Sequence, residues 1–107
     1  MNAINFIQLH GVDKARKIIN GQKDTVAPNL FKYFSPAIDD YHMMNIESNV
    51  RIEDLKRLVK SVELVEVCGG LVEAKKKMNS ESLRSAMIEH VLYKAIADYE
   101  AIGGEHV

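Results

Sequence analysis

Residues 53–78, EDLKRLVKSVELVEVCGGLVEAKKKM, decide the fold class. Leu55, Leu58, Val59, Val62, Leu64 and Val65 recur on one side of a helical projection, while Lys56, Arg57, Lys60, Ser61 and Glu63 fall mainly on the other. One apolar stripe with polar residues around it is the signature of an amphipathic helix that buries a single face. Gly69-Gly70 stops that helix, because glycine adopts at little cost the left-handed backbone that satisfies a helix's last carbonyls. A shorter helix bearing Lys75, Lys76 and Lys77 follows and closes at Asn79, asparagine being the next most tolerant residue at such a stop.

The second half of that stretch has a counterpart in the same chain. Gly70-Leu71-Val72-Glu73-Ala74-Lys75-Lys76-Lys77-Met78-Asn79 aligns with Gly11-Val12-Asp13-Lys14-Ala15-Arg16-Lys17-Ile18-Ile19-Asn20, 59 residues earlier. Both read Gly, an aliphatic residue, two positions of which one is acidic, Ala, a basic pair, an apolar residue two places on, and Asn. Both follow an apolar-rich stretch. The pattern predicts two helix-Gly-helix units at about residues 4–20 and 62–79, with Asn20 and Asn79 as stops and each Ala allowing close approach of a neighbouring helix. Two copies fall short of a solenoid, which needs about three stacked units.

The phrases INFIQLHGVDKARKIIN (residues 4–20) and LKRLVKSVELVEVCGGLVEAKKKM (residues 55–78) resemble a group of small accessory proteins encoded by tailed bacteriophages and prophages. The shared motifs are IxLHGVxKA and LKRLVxSxELVxxxGGLxxAK. The resemblance implies an accessory phage gene of unassigned function, and it transfers no catalytic or binding residue. It lapses over residues 24–50, where the group has a tyrosine-rich hairpin and this chain has VAPNLFKYFSPAIDDYHMMNI.

Working outward, Asn2 is suited to cap a first helix of about two turns that ends at Gly11, with Ile4, Phe6, Ile7 and Leu9 on its apolar face. A second helix is expected over Val12–Ile19, then a turn-rich loop, NGQKDTVAPN, at 20–29. Periodicity fails over 30–50, and an antiparallel pairing of 30–34 with 41–46 is the available regular structure there. Ser80 suits the N-cap of a last helix carrying Leu83, Met87, Ile88, Val91, Leu92, Ala95, Ile96, Tyr99 and Ile102, ended by Gly103-Gly104. The expectation is a mainly α domain spanning 1–107, with about five helices and a small β-hairpin or irregular segment around 28–50. An α+β fold is the alternative.

Composition narrows the function classes. With 107 residues, 47% hydrophobic and 27% charged, the chain can bury a core and is no disordered tail. Its apolar runs are far shorter than the roughly 20 residues that span a bilayer, and MNAINFIQLH lacks the basic start and apolar core of a signal peptide. A lone cysteine, Cys68, suits a reducing compartment. These features predict a cytoplasmic protein with no membrane partner, and the phage resemblance implies that the cytoplasm is that of a bacterial host cell. The net charge of −1 resolves into +3 over 1–23, −4 over 24–54, +3 over 55–78 and −3 over 79–107. The basic blocks carry the two repeats, so basic repeat helices are expected to meet acidic segments within the fold or across a dimer.

No residue set reads as catalytic, cofactor-binding or metal-binding. His10, His42, His90 and His106 show no zinc spacing, Asp39-Asp40-Tyr41-His42 offers too few ligands for calcium, and no phosphate-loop or nucleophile-elbow motif occurs. The chain is therefore expected to be a non-enzymatic protein-interaction module without cofactor, and the phage resemblance implies a host or phage protein as its partner. The broad stripe of the last helix makes Met87, Ile88, Val91 and Ala95 the candidate homodimer face. The competing expectation is a DNA-binding regulator with a helix-turn-helix-like unit at 64–92, in which Lys75, Lys76, Lys77 and Arg84 contact nucleic acid or another anion. Lys77 occupies a position that motif needs apolar, and the acidic C-terminal block is not a DNA-binding footprint.

Overall fold

A computed structural model describes residues 1–79 and 86–103. Five helices and a small antiparallel sheet make up the described chain: α1 (Ala3–His10), α2 (Val12–Gln22), β1 (Tyr33–Ser35), β2 (Asp40–His42), β3 (Val50–Arg51), α3 (Ile52–Val67), α4 (Leu71–Met78) and α5 (Ala86–Ala101). The fold is mainly α with a small β element. The chain divides into two compact units, Met1–Val59 and Lys60–Val107, with the boundary inside α3. Each unit holds one copy of the helix-Gly-helix sequence.

In the first unit, Asn2 caps α1 as its sequence suggests, its side-chain oxygen accepting from the Asn5 N–H at 2.8 Å. Gly11 then ends α1, its N–H donating to the Ile7 carbonyl at 2.8 Å, and at once serves as the N-cap of α2. The two duties conflict for any other residue. Ending the first helix here takes a positive φ, 87°, while starting the next takes an extended ψ, 162°. That combination is essentially restricted to glycine and differs from the left-handed helical stop expected from sequence.

Contrary to the stop expected at Asn20, α2 continues to Gln22. Tyr41, on β2, donates its hydroxyl to the Ile18 carbonyl at 2.6 Å, and Gly21 is the close-approach point beneath that hydroxyl. A contact from a distant strand thus overrides the local Asn-Gly breaker.

The hairpin expected between 30–34 and 41–46 forms over a shorter span, with Tyr33 opposite His42, Phe34 opposite Tyr41 and Ser35 opposite Asp40. Its four-residue connection, Pro36–Asp39, closes with Asp39 at φ 51°, a left-handed conformation that aspartate tolerates better than most residues. The third strand was not foreseen. β3 pairs with the other side of β1, giving the order β2-β1-β3, and passes directly into α3, whose first N–H, at Ile52, donates to the Lys32 carbonyl at 3.0 Å. Phe6, Ile7, Val12, Ala15, Ile18, Phe34, Val50, Ile52, Leu55 and Leu58 are buried in this unit. Phe34 stands edge-on to both Phe6 and Tyr41, with ring centroids 5.9 Å apart in each pair. Each such ring or aliphatic side chain removed from water contributes about 1.5–3 kcal/mol.

In the second unit, α3 ends in a double hydrogen bond: the Gly70 N–H donates to Val65 and the Gly69 N–H to Glu66, at 3.0 and 2.9 Å. That is a Schellman closure, with Gly69 at φ 100°. Gly70, at φ 106° and ψ 179°, is the N-cap of α4 and repeats the backbone of Gly11. Ala74 and Ala15, equivalent in the two copies, are both fully buried. Asn79 ends α4, its N–H donating to the Lys75 carbonyl at 3.1 Å. Val65, Ala74, Leu92, Ala95 and Ile96 form the buried cluster, with Leu64, Cys68, Leu71, Met78 and Tyr99 packed around it. Ser61 donates to Asp98 at 2.8 Å, joining α3 to α5 by a half-buried polar contact. The expected N-cap Ser80 lies outside the described residues. No described helix is long and apolar enough to cross a membrane.

Candidate interaction surface

The most unusual surface feature lies in the segment where sequence periodicity failed. Ile38, Met43, Met44 and Ile46 are all exposed, between 41% and 62%. Scattered exposed apolar residues are ordinary, but four within nine positions of one segment are not. The segment is held through its backbone. Asn49, almost fully buried, donates its side-chain amide to the Met44 carbonyl at 3.0 Å, and its backbone N–H donates to the Ile46 carbonyl at 3.0 Å. The amino group of Met1 donates to the carbonyls of Glu47 and Asn49. His42 Nδ1 accepts from the Met44 N–H at 3.0 Å. Polar groups thus fix the loop from within, and the apolar side chains take no part in fixing it. β2, which leads into this loop, is an outer strand of the sheet.

The Asp39-Asp40-Tyr41-His42 group has structural duties. Asp39 pairs with Lys14 at 2.7 Å, Asp40 accepts from the Tyr41 N–H, Tyr41 bonds to Ile18 and His42 holds Met44. Burial, then the charge of Asp40, then that of Asp24 push the Tyr41 phenol above its ordinary value. Among the described residues no group of three or more His, Cys, Asp or Glu side chains is placed to hold a metal ion. His10 lies in the last turn of α1 with its ring tilted against Phe6, centroids 4.6 Å apart, and Cys68 packs against the second unit's cluster.

The sequence-derived candidates scatter. Lys75 pairs with Glu100 at 3.5 Å and Lys76 with Glu73 at 3.4 Å, while Lys77 is exposed. Arg84 and the side chains of Met87 and Ile88 lie outside what is described. Of the expected dimer face, Val91 is 51% exposed, but Ala95 is buried in its own unit's cluster and is not on an open surface. Among the described residues, basic repeat helices meet acidic segments within the chain at Lys14–Asp39 and Lys75–Glu100. Both are surface pairs of small individual worth.

Sequence reasoning passed over Met43, Met44 and Ile46. The signal available was negative: a run of apolar residues with neither helical nor strand period, which a folded core has no means of burying as a face.

No family model matches the chain, and comparison with curated proteins and with solved structures gives no match either.

Proposed function

We infer that the chain is a non-enzymatic protein-interaction module, a phage or prophage accessory protein that works in the bacterial cytoplasm by binding a host or phage protein. One observation carries this reading: the loop 43–49 is held by part-buried polar bonds while presenting Met43, Met44 and Ile46 to solvent. A loop organised before binding loses little entropy on association, and methionine adapts to varied apolar partners.

The nucleic-acid reading draws less support, because two of the three α4 lysines are already matched by carboxylates of their own chain. Absence of affinity for mixed-sequence duplex at low salt would end it, since non-specific binding is strongest there.

The test of the interaction reading is retention of proteins from infected bacterial lysate by the tagged chain and by a Met43→Asp, Met44→Asp variant, read by mass spectrometry. The expected result is a specific protein retained by the parent and lost with the variant, which circular dichroism shows to be folded. Equal retention by both would remove the loop from the interface, and nuclease-sensitive retention would favour the alternative.

A further inference from the structure

We propose that the first unit carries a phosphoryl-binding cleft on a different set of residues, formed where the end of α2, the loop at 28–32 and the first turn of α3 converge. The cleft has a volume of about 690 Å³ and is lined by Lys23, Lys32, Arg51 and Lys56, with Asn20 and Asn29 among the other polar side chains. That volume lies within the range of roughly 300–1,000 Å³ typical of small-ligand sites.

The charge balance argues for an anionic occupant. Four cations face one carboxylate, Glu53, and that carboxylate is taken up by Lys56 at 3.8 Å. Among the described residues none of Lys23, Lys32 and Arg51 has an ion-pair partner. The three unpaired cations come from separate segments, so no helical or strand repeat places them together. The ends of α2 and α3 bordering the cleft add roughly half a charge each, of opposite sign, and do not offset the excess. A concave surface lined by one sign of charge focuses its field on the space inside and raises the local concentration of counter-ions.

The remaining lining selects the kind of anion. The apolar side chains there are Ile19 and Pro28, and no aromatic residue lines the cleft. Stacking of nucleobases therefore has no platform, and a peptide partner finds no pocket for an aromatic or aliphatic anchor. Convergent lysines and an arginine with neutral amides suit a compact group carrying two or more negative charges on adjacent oxygens, such as a diphosphate or the diphosphate end of a small metabolite.

The test is an amide-resolved NMR titration of the whole chain with inorganic diphosphate at low ionic strength, repeated with ADP, with a glutamate-rich peptide and with a short duplex oligonucleotide. Saturable shifts confined to residues 20–32 and 51–56, with Kd between about 10 µM and 1 mM, are expected for diphosphate and, within a few-fold, for ADP. Arg51→Gln and Lys32→Gln should each weaken binding about threefold to tenfold. Glu53→Gln removes the opposing carboxylate and should tighten it a few-fold, a change of sign that a merely structural role would not give. Three results would overturn the proposal: no saturable shift with diphosphate, shifts centred on Lys75–Lys77, or affinity unchanged in all three variants. Equal or tighter binding of the peptide would refute the phosphoryl preference, and binding of the duplex alone would refute a small-ligand site.

Discussion

The hydroxyl of Tyr41 donates to the Ile18 carbonyl at 2.6 Å and, placed so, stands 2.5 Å from where a Cβ on residue 21 would sit. A strand side chain thereby dictates a glycine inside a helix. In most helices alanine is favoured over glycine by about 1 kcal/mol. Here Gly21→Ala should instead destabilise the protein by about 1–2 kcal/mol, because overpacking against a rigid phenol outweighs propensity. In a Tyr41→Phe background the nearest ring atom is Cζ, at 3.6 Å, an ordinary contact. The sign should then reverse, with Gly21→Ala neutral or stabilising by up to about 1 kcal/mol. Urea denaturation of the four proteins in this cycle measures the coupling, and additive effects would show that the hydroxyl does not sit over Gly21.

The same phenol makes stability depend on pH. Its folded pKa lies above the ordinary 10.0 because burial, Asp40 and Asp24 all disfavour the phenolate. The unfolded chain ionises first, so the stability from this group is fully present below pH 10 and is lost as pH rises through 10 toward the folded value. Tyr41→Phe should cost about 1 kcal/mol at pH 8. The gap between parent and variant should narrow by about pH 10.5. Denaturation midpoints at the two pH values decide it, and a constant gap would argue against a raised pKa.

What was legible in the sequence follows from the range of the interactions involved. The Asn2 cap, the Gly11 and Gly69-Gly70 junctions, and the stripe of α3 are set by neighbours within a few residues, and they are read directly from spacing. The extension of α2 through Asn20-Gly21 is set by Tyr41, on a strand beyond the intervening loop, so local turn chemistry pointed the wrong way. β3 has two residues, too few for any period, and exists because β1 offers a second edge. The cleft cations stand in separate segments and are individually anonymous. Asp39-Asp40-Tyr41-His42, which sequence alone weighs as a group with too few ligands for calcium, serves the hairpin and the helix beside it.

Gly11 and Gly70 give a test of the internal repeat. A methyl group added at either position would meet no heavy atom within 4 Å, so bulk is no obstacle to a side chain there. Both have positive φ with an extended ψ, which alanine reaches only at a cost of about 1–3 kcal/mol. Gly11→Ala and Gly70→Ala are therefore expected to lose similar amounts of stability, for backbone reasons alone. Thermal unfolding of each compares them. A loss at one site and none at the other would mean that the two copies share sequence without sharing a backbone requirement.

Val91 and Ala95, one turn apart on α5, separate self-association from folding. Ala95 belongs to the buried cluster with Val65, Ala74, Leu92 and Ile96, so Ala95→Asp should unfold the second unit, at a cost above about 3 kcal/mol for an unpaired buried charge. Val91 is half exposed, and Val91→Lys should leave the fold within about 0.5 kcal/mol of the parent. If copies of the chain associate through α5, the Val91→Lys protein should be a folded monomer by light scattering where the parent is a dimer. A parent that is monomeric across the concentration range, or a variant that remains dimeric, would exclude this helix as the interface. The unfolding of the Ala95 variant would be explained in either case by the intrachain cluster, so the two substitutions cannot be mistaken for one another.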